Sequence, residues 1–565
     1  MKALIKKIIP SFLINWYHFL LALLGAFLYR FPSRKLKVIG VTGTNGKSTV
    51  VYLITKILEE AGFVTASVSS IEFKIADKRW RNTLKMTMPG RLKLQRFLRR
   101  AVKERCEYVV IEVTSEGILQ HRHRFIDFDV AVFTNLTPEH IESHGSFENY
   151  KKAKGKLFES LEKSRKENTI SVVNLDDENA NYFLEFGADK KIGYSTKEKI
   201  DKKFDLFEII QATEIKLARE KTEFQVKDTT FSLKLKGLFN VYNALAAISV
   251  ALSQGIDILV IKKALEKVEA IPGRLEKVIT EPFEVIVDYA HTPDALEKIY
   301  SALSSEKSSL ICVLGSCGGG RDKWKRPVLG KIADKFCKRI ILTNEDPYDE
   351  DPYKIIEEIR EGIKNKDKIV EIIDRKQAIK KALEFAKRGD IVIITGKGCE
   401  PWMCIKGGKK IPWDDRKIAR EEMQKLRKIK YEKNYEILDH TADLKIRVFG
   451  NTKKELFLNA VYAVASLQDP DLSEESVAKK IKIQSPDILS LLVDFLSEIL
   501  YLSQTEREVY LRAEFEEFSD TFLEAKLFGK KVKRFREDIK GVTYHDLEIK
   551  QQKNGTWQAT ILFDI

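Results

Sequence analysis

The sequence predicts an α/β protein with parallel sheets, followed by a smaller α+β module. Short apolar runs alternate with helical segments from Lys37 onward, which is typical of parallel strands covered by helices. The predicted strands of this part are Lys37–Thr42, Tyr108–Val113, Val130–Thr134, Phe283–Val287, Leu310–Leu314, Arg339–Thr343 and Ile391–Thr395. From Tyr435 onward, strands dominate around two predicted helices, Lys453–Leu467 and Pro486–Leu502. This change of pattern separates the module from the α/β part.

The chain of 565 residues is long enough for about two to four domains. The segment Ile271–Arg274 closes one α/β series before new strands begin, and the charged segment Arg416–Lys433 precedes the change of pattern. We therefore predict four parts: an apolar N-terminal segment at 1–36, α/β domains at 37–271 and 272–425, and a final domain at 435–565.

Composition indicates a cytoplasmic protein with anionic partners. The chain has 98 Lys and Arg against 83 Asp and Glu, a net charge of +15. This excess suits nucleotides, nucleic acid or the inner face of a membrane, and it does not choose among them. The six cysteines are scattered without paired zinc spacing, as expected of reduced cytosolic thiols.

The N-terminal segment has two interpretations. Three lysines precede an apolar stretch, Phe12–Phe31, which is borderline for the roughly 20 apolar residues of a membrane-spanning helix. No small-residue cleavage site of a secretory signal follows it. Either the stretch is a helix packed on its own domain, or it is a membrane-surface or anchoring helix with Trp16, Tyr17 and Tyr29 at the interface.

A phosphate-binding loop follows the first predicted strand and opens a helix. Its residues are Gly43, Thr44, Asn45, Gly46, Lys47, Ser48 and Thr49. Glycines let backbone amides face phosphates, Lys47 reaches the outer phosphates, and Ser48 is placed to hold Mg²⁺. The loop therefore predicts binding of ATP with Mg²⁺.

Further segments follow the loop in a characteristic order. They are Glu112–Gly117, Phe133–His140, Tyr150–Lys154, Gly237–Asn243, Asp288–Asp294, Gly318–Asp322, Lys325–Pro327 and Gly396–Gly398. From about Lys37 to Glu422 the chain resembles the Mur ligase family, and within it the UDP-N-acetylmuramoyl-tripeptide synthetases. The resemblance implies a P-loop central domain at 37–271 and a Rossmann-like C-terminal ligase domain at 272–425.

The same resemblance implies an ADP-forming amide ligase of peptidoglycan precursor synthesis. Such an enzyme phosphorylates the carboxylate of a UDP-N-acetylmuramoyl-dipeptide, and an amino acid then displaces phosphate from the acyl phosphate. Folylpolyglutamate synthases belong to the same superfamily, so polyglutamylation of folate is the alternative. The catalytic group expected is Lys47, Glu112, His140 and Lys154.

Two predicted strand ends carry Glu112 and His140, residue types that hold Mg²⁺ near phosphates. By the resemblance, Lys154 is carbamylated and becomes a further, anionic metal ligand beside Ser48. The resemblance also assigns ATP contacts to Asn243, Arg274, Asp288 and His291. The alternatives are loop capping for Glu112 and His140, a solvated side chain for Lys154 and a structural role for His291.

Substrate contacts come from the resemblance as well. Those expected are Thr87, Thr114, Ser115 and Arg122 in the first domain, and Arg321, Asp346, Gly396 and Glu400 in the second. Arg321, Lys325 and Arg326 form a basic cluster, which either binds the amino acid or phosphate or is a solvated face.

The sequence departs from the family pattern at three places. Only about 36 residues precede the first strand, so the usual UDP-binding domain has no counterpart and the UDP-sugar acceptor is in question. Tyr348 stands where enzymes specific for meso-diaminopimelate carry arginine, so we predict a diamino acid without a distal carboxylate, such as lysine or ornithine. Glu116 and Cys399 replace expected histidines.

The final module has its own signature. Its segments are Leu438–Asp443, Leu491–Glu498, Lys540–His545 and Phe563–Ile565. They resemble archease, which binds a divalent metal and assists an RNA ligase. The resemblance places Ca²⁺ or Mg²⁺ on Asp443, Asp564 and the terminal carboxylate of Ile565, whereas Asp439, His440 and His545 are expected to be structural. The alternatives are a passive appendage, or a chain that is chiefly an RNA-ligase helper.

Overall fold

The computed structural model describes residues 10–84, 86–200, 206–218, 221–304, 308–432, 434–438 and 443–565. The chain forms two compact units, residues 1–420 and 421–565. The predicted class is confirmed, because parallel sheets with covering helices are followed by a sheet-rich region with two helices.

The first sheet of the first unit contains the predicted phosphate-loop strand near its middle. The elements up to residue 266 are α1 Ser11–Leu28, β1 Lys37–Thr42, α2 Lys47–Glu60, β2 Thr65–Val68, β3 Glu72–Ile75, β4 Lys78–Arg81, α3 Arg91–Lys103, β5 Tyr108–Glu112, α4 Ser115–Leu119, β6 Val130–Phe133, α5 Ile141–His144, α6 Phe147–Glu162, β7 Ile170–Asn174, α7 Ala180–Leu184, β8 Lys190–Ser195, β9 Glu208–Leu217, β10 Thr222–Val226, β11 Thr229–Leu233, α8 Leu238–Ser253 and α9 Ile258–Glu266.

The strand order of this sheet is β11-β10-β9-β8-β7-β6-β1-β5-β2-β3-β4. The strands from β9 to β2 are parallel, and β10, β11, β3 and β4 add antiparallel edges. β1 lies between β5 and β6, with Val41 paired to Glu112 and Thr42 to Phe133. Because parallel neighbours end at one edge, the phosphate loop, Glu112 and the chain after Phe133 meet there.

The second sheet of the same unit is smaller. Its elements are β12 Glu276–Ile279, β13 Glu284–Val287, α10 Pro293–Leu303, β14 Leu310–Leu314, α11 Lys325–Phe336, β15 Arg339–Leu342, α12 Pro352–Glu361, β16 Ile369–Glu371, α13 Arg375–Phe385, β17 Ile391–Ile394, β18 Trp402–Ile405, β19 Lys409–Pro412 and α14 Asp415–Glu432. The order is β12-β13-β17-β14-β15-β16, parallel except for β12, and β18 with β19 forms a separate hairpin. Buried Arg375 pairs with Asp415 at 2.7 Å and holds the start of α14 to this sheet.

Helix α1 packs on α3 through small residues. Ala22 and Ala26 are buried, and Gly25 lies against Leu92 and Gln95. The apolar N-terminal stretch therefore packs on its own domain, the first of its two interpretations, while its large side chains stay exposed.

The second unit has two antiparallel sheets and two helices. Its elements are β20 Tyr435–Leu438, β21 Leu444–Gly450, α15 Lys453–Leu467, β22 Pro470–Gln484, α16 Ile488–Glu506, β23 Glu508–Phe518, β24 Phe522–Phe535, β25 Gly541–Gln551 and β26 Trp557–Asp564. The sheet orders are β20-β21-β26-β25 and β22-β24-β23. In the described part of the chain, only α16 has the length and apolar composition to cross a membrane, and half of it is buried within this protein. Both helices contribute to one core with β21 and β26.

Candidate active site

A cavity of about 600 Å³ in the first unit collects the predicted site residues. It is lined by the loop after β1, the ends of β5 and β6, the start of α8 and the loops that follow β13, β14, β15 and β17. Of the predicted residues, these line it: Thr44, Asn45, Gly46, Lys47, Ser48, Thr49, Thr87, Glu112, Thr114, Ser115, Arg122, His140, Lys154, Asn243, Arg274, Asp288, His291, Arg321, Asp346, Gly396 and Glu400. Gly43 takes part through its carbonyl oxygen.

The phosphate loop requires its glycines. Gly46 has φ +83°, and a Cβ there would lie 2.3 Å from Oδ1 of Asn243. Gly43 has φ +147°, and a Cβ would lie 1.9 Å from Oγ1 of Thr134. Helix α2 begins at Lys47, so its first amide groups form an anion site at the cavity. The loop therefore presents backbone donors with Asn243 beside them.

Two lysines, half-buried Lys47 and buried Lys154, share one acceptor at this loop. Lys47 Nζ donates to the carbonyl oxygens of Gly43 at 3.0 Å and Thr44 at 2.8 Å. Lys154 Nζ donates to the same Gly43 oxygen at 2.6 Å and lies over the ring of Tyr150. Burial lowers the pKa of Lys47, and it lowers the pKa of Lys154 far more, with the charge of Lys47 as a second cause. Lys154 is thus not the solvated side chain of the alternative interpretation.

Glu112 lies in a hydroxyl network that joins the two sheets. Its Oε2 accepts from Ser48 Oγ at 2.8 Å and from the Ser70 amide at 2.9 Å. Arg274 Nη2, from the chain just before β12, donates to Ser48 Oγ at 3.1 Å and to Ser70 Oγ at 3.3 Å. Sequence reasoning missed Ser70, which follows the short strand β2 at the same sheet edge.

His140 stands in a second group of contacts. Its backbone is left-handed with φ +60°, and its Nδ1 lies 3.1 Å from Arg321 Nη1. Burial lowers the pKa of His140, and the charge of Arg321 lowers it further, so the ring is neutral at pH 7. Its ring also adjoins those of His144 and Tyr150. A neutral, buried imidazole facing the cavity retains the lone pair that a metal needs.

The start of α10, the first helix packed with the second sheet, contacts the phosphate loop. Asn45 Nδ2 donates to Asp294 Oδ2 at 3.0 Å, and Thr292 Oγ1 donates to Asn45 Oδ1 at 3.2 Å. Asp288 accepts from the amides of Leu275 and Ala290, each at 2.6 Å, and burial raises its pKa. His291 Nδ1 lies 2.9 Å from the Tyr289 carbonyl oxygen, and burial lowers the pKa of this ring well below its usual value.

The far end of the cavity is acidic. Asp346 Oδ1 accepts from Lys397 Nζ at 2.8 Å and from the Cys404 amide at 2.8 Å, and Lys397 also pairs with Glu400. Glu345 lies so close to Gly396 that a Cβ there would be 2.3 Å from its Oε2. Burial raises the pKa of Glu345 to about 7, although Arg375 opposes this. Sequence reasoning missed both Glu345 and Lys397.

The solvated-face interpretation of the basic cluster is wrong for two of its members, because Lys325 and Arg326 are buried. Lys325 Nζ pairs with Glu139 at 2.8 Å, and both side chains are almost fully buried. Arg326 is buried between Glu350 and Glu358 and is not among the cavity residues. Both cations form buried ion pairs, because burying them unpaired would cost free energy. Arg321 lies beside His140, and both Arg321 and Lys325 line the cavity.

The predicted acceptor contacts lie at the opposite end. Thr114 caps α4 by accepting from the Gly117 amide, and Ser115 Oγ lies 3.1 Å from His144 Nε2. Arg122 donates to the carbonyl oxygen of Met88 at 2.5 Å and to Gln120 Oε1 at 2.7 Å. Thr87 adjoins Met88 and lines the same end of the cavity.

The predicted metal residues of the second unit lie at one end of a strand pair. Leu444 pairs with Phe563, so Asp443 and Asp564 are cross-strand neighbours. Lys540 Nζ donates to the Ile565 carbonyl oxygen at 2.9 Å. Within the described ranges, no group of three or more His, Cys, Asp or Glu side chains is placed to hold a metal. Asp439 and His440 lie outside those ranges, and His545 is exposed beside Asp546.

Comparison with known proteins gives three family matches. Residues 41–251 match the Mur ligase middle domain, residues 273–398 match the Mur ligase glutamate ligase domain, and residues 435–565 match the archease protein family. The chain is 41% identical over 409 residues to the UDP-N-acetylmuramoyl-L-alanyl-D-glutamate--2,6-diaminopimelate ligase of Syntrophomonas wolfei, covering 71% of this chain and 81% of that protein. It is 36% identical over 427 residues to a UDP-N-acetylmuramyl-tripeptide synthetase of Roseiflexus, covering 72% and 82%.

Solved structures support the fold. The folylpolyglutamate synthase of Mycobacterium tuberculosis superposes with a TM-score of 0.54 at 16% identity, covering 66% of this chain and 92% of that one. MurF from Acinetobacter baumannii gives a TM-score of 0.52 at 20% identity, covering 72% and 80%. At these identities the likeness concerns the fold alone.

A phosphate loop, buried carboxylates and a second α/β sheet around one cavity define an ADP-forming amide ligase. The chain belongs to the Mur ligase family, with UDP-N-acetylmuramoyl-tripeptide synthetases among its relatives, and it carries an archease domain at residues 435–565. Use of ATP with Mg²⁺ follows from that membership.

Proposed function

We propose that the enzyme adds a diamino acid to the free carboxylate of a UDP-N-acetylmuramoyl-dipeptide in peptidoglycan precursor synthesis. The observation that carries this is the convergence of the phosphate loop, the Glu112 network and the acidic end around Asp346 on one cavity. The proposed ligase reaction is shared between two domains, at 37–271 and 272–425. The names of the relatives support this acceptor. Together with the use of cytosolic ATP, they also support a cytoplasmic place of action.

The reaction needs two displacements. The acceptor carboxylate oxygen attacks the γ-phosphorus of ATP, the bond to the β–γ bridging oxygen breaks, and ADP leaves. The amine of the amino acid then attacks the acyl carbon, the carbon–oxygen bond to phosphate breaks, and the amine gives up a proton. Lys47 and the α2 amides hold the phosphates, and Arg274 brings positive charge from the second sheet.

The residues at the loop fit Mg²⁺. Ser48 Oγ and Glu112 Oε2 are hard oxygen donors 2.8 Å apart, and His140 offers a neutral imidazole on the same cavity. Bound with ATP, Mg²⁺ neutralises charge on the phosphates. Asn243, Asp288 and His291 are proposed to position the nucleotide.

Lys154 is proposed to be carbamylated. Attack of a neutral amine on carbon dioxide forms a carbamate and releases one proton, so an amine that is neutral at working pH is required. Burial lowers the pKa of Lys154 well below its ordinary value, which favours the neutral amine. The carbamate would place an anionic ligand beside Lys47 at the Gly43 carbonyl oxygen.

The identity of the diamino acid has two candidates. The first is 2,6-diaminopimelate, which the names of several relatives carry. The second is lysine or ornithine, favoured by Tyr348, which has φ +53° and packs on Gly319. A tyrosine cannot clamp a distal carboxylate with two parallel hydrogen bonds.

Release of ADP tests the proposal. Full-length protein with ATP and Mg²⁺ is given UDP-N-acetylmuramoyl-L-alanyl-D-glutamate with each diamino acid in turn, and tetrahydrofolate with glutamate in parallel. We expect ADP and a tripeptide product only in the first set. Release with folate alone would move the chain to the folylpolyglutamate alternative, and release with neither would end the proposal.

The archease domain is proposed to bind Ca²⁺ or Mg²⁺ at Asp443 and Asp564, with Ile565 beside them, and to assist an RNA ligase. Neighbouring carboxylates at the end of β21 and β26 suit such ions. The test is guanylylation of an RNA ligase from the same cell, with full-length protein and with Asp564→Asn. No stimulation by the parent chain would favour the passive interpretation.

A further inference from the structure

Helix α1 turns its large apolar side chains away from the domain on which it packs. Phe12, Trp16, Leu20 and Phe27 are 53–71% exposed, whereas Ala22, Gly25 and Ala26 face α3. At 3.6 residues per turn, the exposed apolar residues fall within an arc of about 160°. A helix that packs on a soluble domain normally buries such residues. Helix α1 therefore has the opposite arrangement, with its small residues buried and its large apolar side chains exposed.

Specific contacts fix this orientation. Asn15 Oδ1 lies 2.6 Å from His121 Nε2, and Arg91 Nε donates to the His18 carbonyl oxygen at 3.2 Å. The ring of Phe19 packs edge-on against Phe125. Because these contacts hold one side of α1, the apolar side stays directed outward.

Positive charge borders the apolar side. Exposed Arg30, Arg34 and Lys35 follow α1, and the first 36 residues contain no Asp or Glu. Helix α3, directly beneath α1, also contains six Lys or Arg and no acidic residue, and its Lys93, Arg96, Arg100 and Lys103 are exposed. Arg34 pairs with Asp127, so part of this charge is compensated. An exposed apolar helix side that includes Trp16 and Tyr17, next to a basic helix, complements an anionic lipid surface.

We propose that α1 docks on an anionic phospholipid bilayer, lying in the membrane plane with its outward side among the acyl chains. The basic residues of α3 then meet the headgroups. His121, which holds α1, precedes Arg122 of the cavity, so docking brings the acceptor end of the site to the membrane surface. This last consequence rests on the proposed ligase function, whereas the docking itself does not.

Flotation with vesicles tests the proposal. Full-length protein is mixed with vesicles of phosphatidylglycerol and phosphatidylcholine, or of phosphatidylcholine alone. We expect flotation with the anionic vesicles that weakens in high salt, and a fall of at least about tenfold for Phe12→Ser, Trp16→Ser, Leu20→Ser and Phe27→Ser combined. A matched control changes exposed apolar residues elsewhere, Leu259→Ser and Tyr353→Ser, and should float like the parent.

Two further measurements show what a negative flotation result means. The thermal unfolding of the variant should match the parent, because the altered side chains are exposed. If the parent stays in the soluble fraction with every vesicle composition, the proposal is overturned. Light scattering then shows whether α1 pairs with a second copy of the chain instead. ADP release by the same preparations tests the ligase function separately. If the parent does not float but still releases ADP, only the docking proposal is contradicted.

Discussion

The ammonium groups of Lys47 and Lys154 donate to the same carbonyl oxygen, that of Gly43, at 3.0 and 2.6 Å. Two cations on one acceptor repel each other, and burial disfavours both charges. The pKa of Lys154 is lowered well below its ordinary value for these reasons. Burial and the neighbouring charge of Lys47 therefore both disfavour the charged form of the Lys154 amine.

Replacement of Lys154 tests its proposed modification. We expect Lys154→Ala to lower ADP release by about 100-fold or more, since an anionic ligand is lost. Added acetate should restore part of the activity by supplying a carboxylate in the vacated space. Lys152→Ala, an exposed neighbour on α6, serves as the control. Full activity of Lys154→Ala without acetate would exclude a catalytic carbamate.

Substitution of Tyr348 tests amino-acid selection. An arginine there can form two hydrogen bonds to a distal carboxylate, each worth about 1.5–3 kcal/mol when charged. We therefore expect Tyr348→Arg to raise the ratio of kcat/KM for meso-diaminopimelate over lysine by about tenfold or more. Tyr353→Arg adds the same charge at an exposed site and should leave the ratio unchanged. An unaltered ratio in Tyr348→Arg would show that position 348 does not face the side chain of the amino acid.

The buried carboxyl group of Glu345 predicts a pH dependence of stability. Its pKa is raised to about 7 in the folded chain, against about 4.3 when unfolded. The protonated group therefore stabilises the fold below the unfolded pKa, and this contribution, at most roughly 4 kcal/mol, is lost as the pH rises through about 7.

Glu345→Gln removes the ionisation. We expect the unfolding temperature of the parent to fall more between pH 5 and pH 8 than that of Glu345→Gln. Exposed Glu361→Gln controls for the loss of a carboxylate. Parallel profiles for parent and Glu345→Gln would mean that the group is ionised throughout.

Much of the site was predictable because it follows strands with strong local patterns. Helix Lys453–Leu467 has the predicted bounds, and the loop before Lys47 follows β1 as expected. Local pattern does not reveal partners far apart in sequence. The pairing of Lys325 with Glu139, which buries that lysine, depends on how the two sheets meet.

The antiparallel edges were missed for a related reason. Strands β3, β4, β10 and β11 are short and only partly buried, so their apolar pattern is weak compared with central strands such as β5. Their place is set by tertiary pairing rather than by propensity. Ser70 escaped notice similarly, since a serine after a short strand gains meaning only when Glu112 and Arg274 converge on it.

The central claim is that the loop around Lys47 holds ATP for attack by a carboxylate. Acceptor-dependent ADP release by Lys47→Ala, measured beside the parent and beside Lys56→Ala on the same helix, tests it most directly. We predict a loss of about 100-fold or more for Lys47→Ala and little change for Lys56→Ala. Release by Lys47→Ala at the rate of the parent would contradict the assignment of this cavity as the ligase site.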